Sequence, residues 1–179
     1  MHLSGKAVGI VGMGRIGQAI ARRCHHGFDM TVRYFNRSPR DLDFPAERSG
    51  NLAALAGNCD VLVAAVPGGG STRHLINGSV FAAMRPTAYF VNISRGDVVD
   101  EAGLVAALNS GAIAGAGLDV YENEPDVPEA LRRLESVTLL PHLGTNAREV
   151  LRDMGMVAVA NLRAFFDGQT PPNLISPAG

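Results

Sequence analysis

The chain has 179 residues, of which 46% are apolar and 18% are charged, and its formal net charge is −1. This length suits one domain with a sizeable core, and the balanced charge gives no basic footprint, so nucleic acid is not an expected partner. No apolar run approaches membrane-spanning length and no signal-peptide pattern opens the chain, so we expect a cytoplasmic protein with no membrane partner.

The first predicted strand is a short apolar run that meets a Gly-x-Gly-x-x-Gly pattern and then helix-forming residues. In such a strand–turn–helix, Gly12 makes the turn, Gly14 lets a pyrophosphate approach the backbone, and Gly17 lets the helix pack closely on the strand. The helix N-terminus presents unpaired N–H groups to the phosphates. The pattern therefore predicts dinucleotide binding, and we assign the intervening Arg15 and Ile16 to the same site.

The second predicted strand, residues 30–35, ends in a polar turn that bears on cofactor choice. An NAD site usually carries an acidic residue here, which binds the ribose hydroxyls. Asn36 lacks the charge that would repel a 2′-phosphate, while Arg37, Ser38 and Arg40 offer charge and hydrogen-bond donors. We expect NADP rather than NAD, although a solvated polar turn would have the same composition.

The third predicted strand, residues 61–66, is a continuous apolar run, as expected for a parallel strand covered on both faces. A glycine-rich loop follows it. Because ligands of open α/β sheets bind at the carboxyl ends of strands, Val66, Pro67 and Thr72 are predicted cofactor contacts. A merely flexible loop is the alternative interpretation.

The rest of the chain continues the alternation of strands and helices. Further strands are predicted over 89–93, 114–120 and 137–140, and helices over 15–26, 51–56, 79–84, 101–109, 128–134 and 146–167. Gly27 is the expected cap of the first helix and Asp100 that of the fourth. The alternation predicts an α/β fold, a doubly wound parallel sheet of the Rossmann type with strand order 3-2-1-4-5-6. We expect the tail after the last helix to be extended and mobile.

Four polar residues lie at, or just past, the carboxyl ends of predicted strands: Arg95, Asp119, Glu124 and His142. Because those ends share one edge of a parallel sheet, we expect these side chains to converge. Each of these residues alone is weak evidence for a catalytic site, since a lone histidine is more often structural than catalytic. A metal site made of the last three lacks any ligand-spacing motif, so none is expected.

Here a resemblance becomes specific. Four stretches resemble, in order, the signatures of the D-isomer-specific 2-hydroxyacid dehydrogenases: GMGRIG at 12–17, NISRGDVVD at 92–100, GAGLDVYENEP at 115–125 and PHLGT at 141–145. The turn at 36–38 and the loop at 65–74 resemble the NADP-dependent glyoxylate/hydroxypyruvate reductase branch.

The resemblance implies a hydride transfer between nicotinamide C4 and the C2 atom of a small 2-keto or 2-hydroxy acid. His142 would donate a proton to the 2-keto oxygen, since imidazole titrates near neutral pH. Glu124 would fix the tautomer of that imidazole, and Arg95 would bind the substrate carboxylate. Asp119 would hold the nicotinamide end. The remaining cofactor contacts implied are Ile93, Ser94, Arg95, His142 and Gly144.

One departure from the family concerns the substrate domain, which members build largely from residues before the fingerprint. Here the fingerprint begins at Gly12. We therefore expect residues 1–146 to form the NAD(P)-binding domain, and the helix and tail at 147–179 to be shaped for packing on a substrate domain that is missing. Such a chain would bind NADP(H), be inactive alone and form a homodimer. A dinucleotide-sensing module of corepressor type is the alternative function.

Overall fold

The computed structural model describes residues 2–175. The chain divides into two compact units, and it passes from the first to the second between Pro141 and His142. Each unit is described by itself. Within residues 2–175, no helix combines the length and the apolarity needed to cross a membrane.

The first unit is built on a seven-stranded parallel sheet. Its strands are β1 (Ala7–Val11), β2 (Thr31–Phe35), β3 (Glu47–Arg48), β4 (Val61–Ala64), β5 (Tyr89–Asn92), β6 (Gly115–Leu118) and β7 (Val137–Leu139). They lie in the order β3-β2-β1-β4-β5-β6-β7, and every neighbouring pair is parallel. The predicted doubly wound parallel fold is confirmed.

The predicted strand order is wrong at one place. We expected the strand that begins at residue 61 to lie beside β2, but β4 pairs with β1, and Ile10 lies opposite Val63. The place beside β2 belongs to β3, where Arg33 faces Glu47. A strand of two residues shows no periodicity, so the sequence pattern could not reveal it.

Within residues 2–175, the α-helices are α1 (Arg15–Phe28), α2 (Leu52–Gly57), α3 (Gly78–Ala83), α4 (Glu101–Asn109), α5 (Glu129–Arg132) and α6 (Arg148–Phe166). The expected cap of α4 is confirmed, because Asp100 accepts a hydrogen bond from the Gly103 N–H at 3.1 Å. The expected cap of α1 is wrong. That helix continues through Gly27, and Asp29 takes the left-handed position with φ of 53°, which Asp tolerates better than most residues.

Helices cover both faces of the sheet, which explains why β1 and β4 are apolar runs. On one face, α2, α3 and α4 pack over a core in which the rings of Phe81 and Phe90 meet edge to face, with centroids 5.3 Å apart. On the other face, α1 covers a smaller cluster that contains Met30 and Tyr34.

The second unit consists of a loop, α6 and the chain that follows it. No residue of α6 is buried, and large apolar residues of this helix, Met154 and Phe165 among them, are exposed. The following chain is not simply extended as expected. Asn161 and Asn173 exchange two hydrogen bonds of 3.0 Å, which fold it back onto the helix. Residues 176–179 of the predicted tail lie outside the described residues.

Thiol reactivity tests the packing of the first unit. Cys59 is buried, and burial raises the pKa of its thiol to about 12, so roughly one thiol in ten thousand is ionised at pH 8. A Cys24→Ser variant keeps Cys59 as its single thiol. We expect the folded variant to react slowly with a disulfide reagent at pH 8, and the variant unfolded in urea to react at one thiol per chain. If the folded variant reacted as fast as the unfolded variant, Cys59 would not be buried.

Candidate functional site

A cavity of about 400 Å³ lies where β1, β2 and β4 end. This is the point at which the chain turns from one half of the sheet to the other, and open α/β sheets bind ligands there. The predicted site residues that line the cavity are Gly12, Gly14, Asn36, Arg37, Ser38, Val66, Pro67 and Thr72. Further lining comes from Phe35, Arg40, Ala65, Ser71 and Leu75.

The glycines of the fingerprint differ in what surrounds them. Gly12 has φ of +97°, and a Cβ there would lie 2.6 Å from Cγ1 of Val66. A Cβ on Gly17 would lie 2.0 Å from the carbonyl oxygen of Gly12, so a side chain at position 17 would push α1 away from the turn. A Cβ on Gly14 would meet no atom within 4 Å. The open space at Gly14 faces the cavity and leaves room for a ligand to approach the backbone.

The N-terminus of α1 adds an electrostatic contribution. Gly14 is its N-cap, no side chain caps it, and its first turn carries no acidic residue. Arg15 and Ile16 lie in that first turn and are exposed, Ile16 to 63%. A free helix N-terminus favours phosphate oxygens. Together with the space at Gly14, the residues present fit the pyrophosphate of a dinucleotide.

The turn after β2 is braced from two directions. The Oδ1 atom of Asn36 accepts a hydrogen bond from the Met13 N–H at 3.2 Å, and its Nδ2 donates to the Ser38 carbonyl at 2.9 Å. Asn36 thus ties the fingerprint loop to the turn. Arg48 of β3, which was not among the predicted site residues, donates to the carbonyls of Asn36 and Arg37. No motif marks Arg48, because its contact depends on a strand that periodicity does not predict.

The glycine-rich loop after β4 is held in place by hydrogen bonds. The Thr72 hydroxyl lies 2.7 Å from the Pro67 carbonyl oxygen and 3.1 Å from that of Gly69. The Gly69 N–H donates to Oδ2 of Asp97 at 3.0 Å, while Oδ1 of Asp97 is buried with no partner in residues 2–175. These bonds oppose the flexible-loop interpretation.

The segment after β5 carries Ile93, Ser94 and Arg95. Asn92, the last residue of β5, is 1% exposed. Its Oδ1 accepts from the N–H and the hydroxyl of Ser94, at 3.0 and 2.7 Å, and its Nδ2 donates to the Arg95 carbonyl at 3.1 Å. The exposed Arg95 therefore stands on a fixed backbone. Asn92 has no predicted role, although a polar residue at the end of an apolar strand is a signal that could have marked it.

Asp119 and Glu124 belong to the chain that follows β6. Asp119 is 8% exposed, and its N–H donates to the Asn92 carbonyl at 3.0 Å. Glu124 accepts from the Tyr121 N–H at 3.0 Å. The Tyr121 hydroxyl donates to the Leu140 carbonyl at 2.8 Å, and burial raises the pKa of Tyr121. Tyr121 thus anchors this loop to the chain that leaves β7.

A charged cluster joins two loops of the first unit. The Nε2 atom of His74, a residue with φ of 48°, lies 2.6 Å from Oε1 of Glu122, and Arg73 lies 3.1 Å from the same oxygen. The Glu122 N–H donates to Glu101 at 2.8 Å. Glu101 is 8% exposed, and burial raises its pKa. The glycine-rich loop is thereby fastened to the loop that carries Glu124.

His142 and Gly144 belong to the second unit. His142 is exposed and has φ of 54°, a left-handed conformation that is uncommon for a residue with a side chain. A turn closed by a hydrogen bond from the Asn146 N–H to the Leu143 carbonyl leads into α6. The convergence of His142 with the polar residues of the first unit stays a prediction.

Comparisons with known proteins identify the family of the chain. Residues 1–144 match the family model described as D-isomer specific 2-hydroxyacid dehydrogenase, NAD binding domain. The chain is similar to hydroxyphenylpyruvate reductase of Plectranthus scutellarioides, with 46% identity over 166 residues, which is 93% of this chain and 52% of that protein. It is similar to a glyoxylate reductase of Pyrococcus furiosus, with 44% identity over 178 residues, which is 98% of this chain and 52% of that protein.

A solved structure is similar as well. It is an NADPH-dependent glyoxylate/hydroxypyruvate reductase from Sinorhizobium meliloti in complex with NADP and malonate, with a TM-score of 0.87 and 44% identity. The match covers 90% of this chain and 50% of that one. The chain spans about half the length of the curated relatives it matches.

Two glycine substitutions separate packing from ligand access. Gly17→Ala places a methyl group 2.0 Å from the Gly12 carbonyl oxygen, so we expect the free energy of unfolding to fall by about 2 kcal/mol or more. Gly14→Ala meets no protein atom within 4 Å, so its unfolding free energy should stay within about 1 kcal/mol of the parent, while NAD(P)H affinity falls. Urea denaturation and calorimetry measure the two quantities. Equal losses of unfolding free energy in both variants would contradict the assignment of Gly17 to helix packing and of Gly14 to ligand access.

Stability against pH tests the buried carboxyl of Glu101. Its pKa in the folded chain is raised above the ordinary value of 4.5. At a pH between the unfolded-state pKa and the folded-state pKa, the folded chain therefore holds more protons than the unfolded chain. The free energy of unfolding falls as the pH rises through this range. Glu101→Gln removes this loss. We expect the difference in unfolding free energy, Glu101→Gln minus parent, to be larger at pH 7 than at pH 4. Glu135→Gln, at an exposed position, is the matched control, and a parallel rise in that variant would refute the cause.

Proposed function

Because the chain belongs to the D-isomer specific 2-hydroxyacid dehydrogenase family, whose NAD-binding domain residues 1–144 match, we propose that it is the cofactor-binding part of an oxidoreductase. The reaction would transfer hydride between NADP(H) and a small 2-keto or 2-hydroxy acid. The observation that carries this proposal is the cavity at the ends of β1, β2 and β4, with open space at Gly14 beside an uncapped helix N-terminus.

The substrate class rests on the relatives. Similar proteins are named glyoxylate reductase and hydroxyphenylpyruvate reductase, and a similar structure holds malonate, a small carboxylic acid, together with NADP. We propose glyoxylate or hydroxypyruvate as the substrate. Nothing in these relatives supports the alternative of a corepressor-type module.

NADP is the proposed cofactor. Asn36 brings no negative charge to the turn after β2, and Arg37, Ser38 and Arg40 line the same cavity. A phosphate on the ribose would gain charge-assisted hydrogen bonds from these residues, whereas NAD would leave the arginines unused. We assign Asp119 to the nicotinamide end, and the Ile93–Arg95 backbone and Gly144 to further contacts with the cofactor.

The proposed chemistry assigns one role to each catalytic residue. The bound nicotinamide supplies or accepts the hydride. Arg95 binds the substrate carboxylate, for which a planar guanidinium offers two parallel donors, and the brace from Asn92 favours a constant position. His142 donates a proton to the 2-keto oxygen in reduction and accepts it in oxidation. Glu124 orients that imidazole and favours its protonated form.

Assembly and compartment are proposals of the same kind. The exposed apolar face of α6 supports packing of residues 147–179 on a substrate domain. A homodimer through the first unit is proposed from the family resemblance, and sedimentation as a monomer at micromolar concentration would refute it. A cytoplasmic location is supported by the two free cysteines, since unpaired thiols are typical of reducing compartments.

The test is a calorimetric titration of this chain with NADPH and NADH, followed by an assay with glyoxylate. We expect NADPH to bind more tightly than NADH, with little or no turnover of glyoxylate. Turnover by this chain would mean that these residues suffice for the reaction. Absence of binding by either cofactor would overturn the proposed cofactor site.

Asn36→Asp tests the cofactor preference. A carboxylate at this position repels a 2′-phosphate and also loses the donor that now meets the Ser38 carbonyl. We expect the NADPH-to-NADH affinity ratio to fall by about tenfold or more, which is about 1.4 kcal/mol. Asn58→Asp makes the same charge change outside the cavity, at a residue whose Nδ2 also donates to a carbonyl. An unchanged ratio in Asn36→Asp would refute the role of charge at this turn.

A further inference from the structure

Arg48 touches the turn after β2 from outside the cavity. Its NH2 atom lies 3.1 Å from the carbonyl oxygens of both Asn36 and Arg37, and its Nε lies 3.4 Å from the first of them. Arg48 reaches them because β3 places it beside β2, opposite Tyr34. The side chain is not among those that line the cavity. It therefore acts on the turn through the backbone.

The two carbonyls that Arg48 holds set the orientation of two peptide planes. Both peptide bonds are trans, and in a trans peptide the carbonyl and the following N–H point in opposite directions. The N–H groups of Arg37 and Ser38 therefore point away from Arg48. Within residues 2–175, neither N–H meets a protein acceptor. Two successive N–H groups on one side of a bend form a small anion-binding concavity.

The other side of the same turn is polar and cationic. Arg37, Ser38 and Arg40 line the cavity, and Asn36 holds the next carbonyl, that of Ser38, through its Nδ2. All three carbonyls of residues 36–38 thus have donors inside the protein. This arrangement removes their partial negative charges from the face that would meet an anion.

We propose that Arg48 is a specificity-determining positioning residue for NADP. By holding the carbonyls of Asn36 and Arg37, it directs the N–H groups of Arg37 and Ser38 toward the phosphate on the adenosine ribose. The proposal rests on the proposed function, since it needs the cavity to hold a dinucleotide. It assigns the discrimination to hydrogen-bond geometry and not to the charge of Arg48 alone.

The test compares Arg48→Lys and Arg48→Gln with the parent chain by calorimetry with NADPH and NADH. Lysine keeps the charge but cannot present a planar fork to two carbonyls, and glutamine removes the charge as well. We expect the NADPH-to-NADH affinity ratio to fall about tenfold in both variants, with NADH affinity changed less than about twofold. The ratio isolates specificity, because a general loss of folding weakens both cofactors alike.

Arg33→Gln is the matched control. Arg33 lies on β2 and pairs with Glu47 of β3 at 3.1 Å, and within residues 2–175 no hydrogen bond joins its side chain to the turn. Arg33→Gln removes one positive charge from the same edge of the sheet as Arg48→Gln does. We expect its cofactor ratio to equal that of the parent. Two results would show that charge alone acts and would overturn the proposal. One is an NADPH-to-NADH affinity ratio in Arg48→Lys equal to that of the parent, and the other is a fall of this ratio in Arg33→Gln as large as that in Arg48→Gln.

Amide NMR gives a readout that does not depend on affinity. Adenosine 2′,5′-bisphosphate carries the ribose phosphate, and adenosine 5′-diphosphate lacks it. We expect the first compound to shift the Arg37 and Ser38 amide signals downfield in the parent, and not in Arg48→Lys at saturation. A parent chain that binds neither cofactor would refute the proposed function. A parent that binds NADPH tightly without these shifts would refute the inference alone.

Discussion

The close contact between Gly17 and the Gly12 carbonyl is the constraint on which the cleft depends. A Cβ at position 17 would lie 2.0 Å from that oxygen, so only glycine lets α1 begin directly over the end of β1. This contact places the uncapped helix N-terminus beside the open space at Gly14. The proposed binding of the pyrophosphate would follow from backbone geometry, since the N–H groups of a helix N-terminus attract phosphate oxygens.

Around that cleft, several polar side chains that do not line the cavity hold segments of the backbone in place. Asn92 holds Ser94 and Arg95, Asp97 holds Gly69, and Arg48 holds the turn after β2. A site whose backbone is braced in this way loses little entropy when a ligand binds, which is the physical meaning of preorganisation. We therefore expect residues outside the lining of the cavity to influence cofactor affinity as well.

The residues assigned to catalysis are distributed over both compact units. Arg95 and Glu124 belong to the first, where Asn92 and the Tyr121 N–H hold them. His142 begins the second, in a left-handed backbone conformation with φ of 54°. Uncommon backbone conformations are often found at functional positions. Local contacts thus hold Arg95 and Glu124 within the first unit. The relatives that are named as reductases are about twice as long as this chain.

The sequence by itself determined the fold class, the cofactor-binding family and the local elements, because their signals are short-range. The fingerprint at Gly12, the bounds of α4 and its Asp100 cap all depend on residues within a few positions of one another. Only the tertiary structure decided the strand order, the two-residue β3 and the roles of Arg48 and Asn92. Arg48 meets the turn across 12 residues, and no periodic pattern links them. Pairings between distant segments are chosen by packing and hydrogen bonding of the whole sheet, which the local pattern does not encode.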